Sequence, residues 1–318
     1  MVKSRYSRKG SKQGMNIKTK RRNKIKKSFS DRSFNTILTV IATVWLLIVA
    51  YPCIYVISSS ISSGSAVSSG RVLLWPVDFS ITGYQMVLQN KLVWSGYANT
   101  LLYAGLGTII HLIMTILGAY PLSRKNYQGK KYVQVFLTVS MLFGGGLIPT
   151  YILVSNLGLV NTRTYMIISG AVSISHLIIM RTSFQSNVPY ELLESAKMDG
   201  ISDFGYLFKI ILPLSKAVIS VILLYAVVSK WNSYFSPMIY LHDRELWPLQ
   251  LVVKFILDNT TKMASGGEMD AATAEKFAEG AELMKYSLII ISTIPMLILY
   301  PFLQKFFEKG VMMGSIKG

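Results

Sequence analysis

Charge is what this chain has least of. Asp, Glu, Lys and Arg make up 15% of its 318 residues, where a soluble domain carries roughly a quarter. Cysteine occurs once, at Cys53, which excludes an intrachain disulfide and argues against redox chemistry. The histidines His111, His176 and His242 are scattered, and neither His-Glu-x-x-His nor Cys-x-x-Cys occurs. A catalytic metal site is therefore not expected. Also missing is G-x-x-x-x-G-K-[ST], the glycine-rich cradle for nucleotide phosphates, so the chain is not expected to bind ATP itself.

Long apolar runs fill the space that charge leaves. Just over half the residues are apolar, and a bilayer core is crossed by about 20 apolar residues of helix. Six such spans are expected, at 34–57, 97–120, 132–154, 165–180, 214–234 and 286–307. The fourth is the shortest. The chain is read as an all-α, polytopic membrane protein.

Lys and Arg in the connecting loops set the orientation. Residues 1–33 hold thirteen bases against one acid, Asp31, which places this end in the cytoplasm. The loop after the second span carries Arg124, Lys125, Lys130 and Lys131 and no acid, whereas Trp231–Met284 carries eight acids against four bases. Both agree with six spans and cytoplasmic termini. The basic tail could bind anionic lipid or nucleic acid. Without aromatic interleaving or a nucleic-acid motif it reads as a topology determinant, and no nucleic-acid partner is expected. It is not read as a cleavable signal, because the first apolar run is span-length and lacks a small-residue cleavage pattern.

No Asp or Glu falls within any expected span, although proton-coupled transporters place their relays there. His111 and His176 could serve instead, or could simply be polar residues facing a neighbouring helix. No three-plus-three repeat is visible either. A secondary transporter therefore lacks its coupling residues, and a membrane-embedded enzyme lacks a polar cluster. The energy for transport is expected from another chain.

One stretch is charged where it ought to be apolar. "ELLESAKMDGISDFGYLFKIILPL" (191–214) lies between two spans, on the expected cytoplasmic side. Pro189 suits the first turn of a helix, and "PYELLESAKM" would run with Leu192, Leu193 and Ala196 on one face. Asp199-Gly200 supplies a left-handed stop, and Ser202 can cap a second helix before Pro213. Such an elbow fits either a soluble partner or the lipid headgroup layer.

The spacing Glu194-Ser195-Ala196, three residues, Gly200, nine residues, Ile210-x-Leu212-Pro213 resembles the EAA loop of binding-protein-dependent ABC importer permeases, with Ser195 where alanine is usual. "GGGLIPTYILVSNLGLVNT", "KWNSYFSPMIYLHDRELWPLQLVV" and "YPFLQKFFEKGVMMGSIKG" resemble carbohydrate-uptake permeases of the maltose-permease type, in the branch found beside polysaccharide and complex-oligosaccharide binding lipoproteins. The resemblance implies the type I ABC importer permease fold with a cytoplasmic coupling helix, in a bacterial plasma membrane. It implies a heterodimer with a second homologous permease, two ATPase subunits and an extracytoplasmic solute-binding lipoprotein. No cofactor is bound by this chain on that view; ATP and Mg are used by the ATPase partner. An importer for a non-sugar solute stays open.

The domain boundaries that follow are a basic tail at 1–33, a first transmembrane helix at 34–57, an outer loop at 58–96, a core permease domain at 97–310 and a C-terminal tail at 311–318. The core holds the coupling loop 188–213 and an outer loop at 232–284. In that outer loop Ser265-Gly266-Gly267 reads as a flexible joint, followed by a helix with Ala274, Phe277, Ala278 and Ala281 along one face. That helix could dock the binding protein or pack on the permease's own rim.

Two groups are candidates for the solute path. Gly144, Gly145 and Gly146 fall mid-span and permit either close helix packing or a broken helix lining a cavity. Lys230 lies near the outer end of the fifth span, followed by Trp231, Asn232 and Tyr234. It could snorkel to the outer headgroups, with Trp231 and Tyr234 as interfacial anchors. Alternatively this end lines the path, with Trp231 or Tyr234 stacking on sugar rings, Asn232 bonding hydroxyls and Lys230 favouring acidic sugars.

Overall fold

The structure, a computed structural model, describes residues 29–265 and 271–315. Most of the basic tail and the Gly266-Gly267 joint fall outside them. The helices in chain order are α1 (Phe29–Ser60), α2 (Gly64–Ser68), α3 (Thr82–Gln89), α4 (Lys91–Ser123), α5 (Lys130–Leu142), α6 (Leu147–Asn156), α7 (Arg163–Ile168) and α8 (Ile174–Asn187). Then follow α9 (Glu191–Met198), α10 (Asp203–Tyr206), a π-helical turn (Leu207–Ile211), α11 (Leu212–Leu214), α12 (Lys216–Trp231) and α13 (Phe235–Tyr240). A 3-10 turn (Arg244–Leu246), α14 (Leu249–Ser265) and α15 (Ala271–Ser315) complete the chain. No strand occurs among the described residues.

The described residues up to Tyr51 form one compact unit and those from Pro52 a second. The first is an apolar helical segment whose large side chains, from Phe34 to Val49, are exposed. Its run from Phe34 onward has the length and apolar composition of a membrane span.

The second unit is organised on α4. Its 33 residues span about 50 Å at 1.5 Å per residue. Buried along it at three- and four-residue intervals are Gly96, Asn99, Thr100, Tyr103, Gly107 and His111. Small residues on that stripe let neighbouring backbones approach closely, and α7, α8, α12 and α14 pack around it. The polar members of the stripe hold the entry to α14. Asn99 donates to the carbonyls of Glu245 and Trp247, and the Thr100 hydroxyl accepts from the Leu249 amide at 2.8 Å.

Three of the six expected spans are broken along their length. By length and composition the described residues hold three spans, Ser33–Ser60, Lys91–Ser123 and Glu279–Pro301, or up to five if each of two bent pairs counts as one. The expected 132–154 span is such a pair, α5 and α6 meeting at 111°. Gly146 stands between them at φ +84°, and a Cβ at Gly144 or Gly146 would meet nothing within 4 Å. The glycines stand at a break in the helix, and Gly144 and Gly146 have no close neighbour within this chain. The expected 214–234 span begins at Lys216, bent by 82° from the segment before it, and ends at Trp231. The expected 165–180 span is two short helices, α7 and α8, parted at Ser169–Ser173 with Gly170 at φ +72°.

The segments expected as outer loops are largely helical. Residues 58–96 contain α2, α3 and the start of α4. Residues 232–284 contain α13, α14 and the start of α15. Leu249, Val252, Val253 and Ile256 of α14 are buried in a core with Val93, Trp231 and Leu288. Their spacing is that of an amphipathic helix whose apolar face needs a partner. The stretch after the glycine joint is helical, and residues 311–315 continue α15 where a tail was expected.

Candidate functional site

The charged elbow folds as helix, left-handed turn and second helix. Helix α9 begins at Glu191, two residues past Pro189, so the proline precedes the first turn and does not occupy it. Glu191 and Glu194 stand in that first turn and Lys197 in the last, matching the helix dipole at both ends. Gly200 takes φ +72°, a conformation that disfavours any residue with a Cβ. The Ile201 amide then donates back to the Ala196 carbonyl at 2.9 Å, closing the α9 terminus. Ser202 caps α10, its hydroxyl accepting from the Gly205 amide at 3.2 Å.

The faces of α9 differ from the expectation at one position, Leu192. Leu193 and Ala196 are buried at 7% and 3% exposure, while Leu192 is exposed at 39%. Leu193 and Ala196 belong to a core with Leu177, Met180 and Phe184 of α8, Tyr206, Leu207 and Ile211. Ile210 and Leu212 pack against its edge, and Pro213 is exposed. The outward face carries Leu192, Glu194, Ser195, Met198 and Asp199. Ala196 is thus a seat for the helix within its own chain; the surface open to a partner is the other side.

A second concentration of polar groups lies deeper. A cavity of about 760 Å³ is lined by Gly107 and His111 of α4, Ser169 of the break, His176 of α8, and Tyr225 and Lys230 of α12. The break leaves carbonyls without helical partners, and in a bilayer each such group costs several kcal/mol if unsatisfied. Here Lys230 Nζ donates to the carbonyls of Met166 at 2.7 Å and Ser169 at 2.5 Å. His111 Nδ1 lies 3.0 Å from the Gly170 carbonyl, and because a carbonyl only accepts, Nδ1 carries the proton. His111 Nε2 faces His176 Nδ1 at 2.9 Å. In a neutral pair His111 Nε2 therefore accepts, and the remaining acceptor is His176 Nε2. Gly107 makes room for this arrangement: a Cβ there would stand 3.0 Å from Lys230 Cε and 3.1 Å from the Ile167 carbonyl.

This geometry sorts the outer-end candidates. Lys230 does not reach outward to headgroups; it is turned into the helix break. Trp231 is 2% exposed, with its indole N–H on the Ser292 carbonyl at 3.1 Å and its ring edge-on to Tyr97. It is core, neither an interfacial anchor nor a ring open to a sugar. Asn232 and Tyr234 are exposed and do not line the cavity, whereas Ser229, Ser233 and Ser236 do. Gly144, Gly145 and Gly146 do not line it.

A family profile described as "binding-protein-dependent transport system inner membrane component" matches residues 130–313. The chain belongs to that family. Among its relatives, the polygalacturonan/rhamnogalacturonan transport system permease protein YtcP of Bacillus subtilis is 34% identical, over 91% of this chain and 99% of its own. Protein LplC of the same species is 34% identical over 84% and 89% respectively. A solved bacterial ABC transporter involved in importing the acidic polysaccharide alginate aligns with TM-score 0.80 and 35% identity, covering 88% of this chain and 99% of that one. The permease is accordingly a multi-pass, non-enzymatic membrane subunit that works with a binding protein and a separate ATPase.

Reasoning from the sequence missed Tyr225, Ser169 and the joining of His111 to His176 in one site. The signal was present in "SGAVSIS" (169–175), small and polar residues inside a run too short to span. Such a stretch marks a broken helix, and a broken helix needs donors for its carbonyls.

Proposed function

We propose that this permease forms half of the translocation pathway of an ATP-driven importer for oligosaccharides or polysaccharide fragments. A second homologous permease completes the path, two ATPase subunits bind ATP and Mg, and an extracytoplasmic solute-binding lipoprotein delivers the cargo. Both termini face the cytoplasm of a bacterial cell. The observation that carries the reading is the elbow at 191–214: a short helix seated on its own core by Leu193 and Ala196 while Leu192, Ser195 and Met198 stay outside. The relatives named for polygalacturonan, rhamnogalacturonan and alginate transport support the carbohydrate class.

The mechanism follows from helix α8. It runs 14 residues, from the cavity at His176 to the threshold of α9, a rigid rod of about 21 Å. Leu177, Met180 and Phe184 along it share one core with Leu193 and Ala196. Displacement of α9 by a closing ATPase pair is passed along that packed rod to the helix break above it. Close-packed interfaces shift between discrete arrangements more readily than they deform.

Co-expression with the neighbouring permease, ATPase and binding protein, followed by purification through this chain, should return one complex whose hydrolysis is stimulated by loaded binding protein. Counterflow of oligosaccharide by this chain alone, without an ATPase, would make it a secondary transporter instead.

A further inference from the structure

In the cavity between α4, α8 and α12 the groups left over after the helix break is satisfied are those suited to a sugar. Tyr225 is 54% exposed and its ring lies parallel to His176, centroids 5.7 Å apart at 18°. That stack fixes the tyrosine's orientation and leaves it as a platform for the apolar face of a pyranose. His176 Nε2 is the acceptor left over from the histidine pair. Hydroxyls of Ser173, Ser229 and Ser233 line the same space. The volume, about 760 Å³, lies within the range of small-molecule sites.

Charge narrows the ligand further. No Asp, Glu or Arg lines the cavity, and Lys230 is the only lysine among its lining residues. The negative end of α7, whose carbonyls Lys230 holds, offsets roughly half an elementary charge. A net positive field remains in a site walled by helices, where it acts at low dielectric.

We propose that this cavity is a glycan subsite on this subunit, with Tyr225 as stacking platform, His176 as hydroxyl acceptor and Lys230 as the source of a field favouring uronic-acid residues. Lys230 has two roles here. Its protons cap the α7 break, and its charge selects the solute at a distance without needing a direct bond. The proposal rests on the carbohydrate reading above and adds where on this chain the sugar is held and which sign of charge is preferred.

The test uses the complete importer in proteoliposomes. Uptake is measured per loaded binding protein for trigalacturonate and for its carboxyl-reduced, neutral counterpart. Wild type should move the acidic sugar faster. Tyr225→Ala should slow both sugars about five- to tenfold, a loss in keeping with an aromatic contact, while Tyr225→Phe stays near wild type. Lys230→Gln keeps an N–H for the Met166 and Ser169 carbonyls but removes the charge; it should cut the acid-to-neutral ratio about tenfold, and Lys230→Arg should restore it. Should Lys230→Gln fail to assemble, the Tyr225 pair decides whether the cavity holds sugar. Equal uptake of both sugars by wild type, or wild-type rates in Tyr225→Ala, would overturn the subsite while leaving the carbohydrate reading intact. Failure of the wild-type complex to move either sugar would instead overturn the carbohydrate reading.

Discussion

Ser195 and Ala196 are neighbours on α9 with opposite surroundings, and exchanging each for leucine should separate docking from folding. Ala196 is 3% exposed against Leu193, Phe184 and their core. Ala196→Leu adds three carbons where there is no room, and over-packing of this kind costs about 1–3 kcal/mol. At about 2 kcal/mol the ratio of folded to unfolded molecules falls roughly thirtyfold. Ser195 is exposed, so Ser195→Leu should change stability by less than about 0.5 kcal/mol, helped slightly by the better helix propensity of leucine. Its effect should fall on the partner, which meets a bulky side chain where it expects a small one. The assay pairs thermal unfolding of the purified complex with uptake per folded molecule. Ala196→Leu should lower the unfolding temperature and leave uptake per folded molecule within about twofold. Ser195→Leu should leave the unfolding temperature alone and reduce uptake at least tenfold. The reverse pattern would refute the assignment of faces on α9.

Two further outcomes concern the Gly200 turn and the orientation of the chain. At Gly200, where the left-handed φ and not the available space is limiting, a residue with a Cβ costs about 1–2 kcal/mol. Coupling of hydrolysis to uptake should decline in the order Asn, Ala, Val, and wild-type uptake by Gly200→Val would show that the turn is dispensable. In a Cys53→Ser background, single cysteines at Ser202 and Lys125 should react with an impermeant thiol reagent only from the cytoplasm, and one at Arg244 only from outside. External labelling at position 202 would overturn the orientation.

Much of the coupling loop was legible from local chemistry. Gly200 needs a left-handed turn because of its own place in the chain, and Ser202 caps a helix beginning one residue later; neither depends on distant contacts. The apolar runs likewise announced a membrane protein, since about twenty residues of helix must meet lipid wherever their neighbours lie. The spacing of Leu249, Val252, Val253 and Ile256 is equally readable as the apolar face of a helix within the expected outer loop.

Which face of a helix is covered is a different kind of fact. Leu192 and Leu193 are adjacent and chemically alike, and only the position of α8 leaves one outside and buries the other. Lys230 shows the same dependence at higher stakes. Read along the chain it is a lysine near the end of an apolar helix, for which headgroups are a sufficient partner. The opening between α7 and α8, 61 residues away, supplies carbonyls that need a donor, and Gly107 on a third helix supplies the clearance. Local propensity decides where helices start, turn and stop, because those interactions lie within a few residues of one another. Which carbonyl meets which lysine, and which ring is left facing a cavity, depends on groups brought together only when α4, α7, α8 and α12 pack.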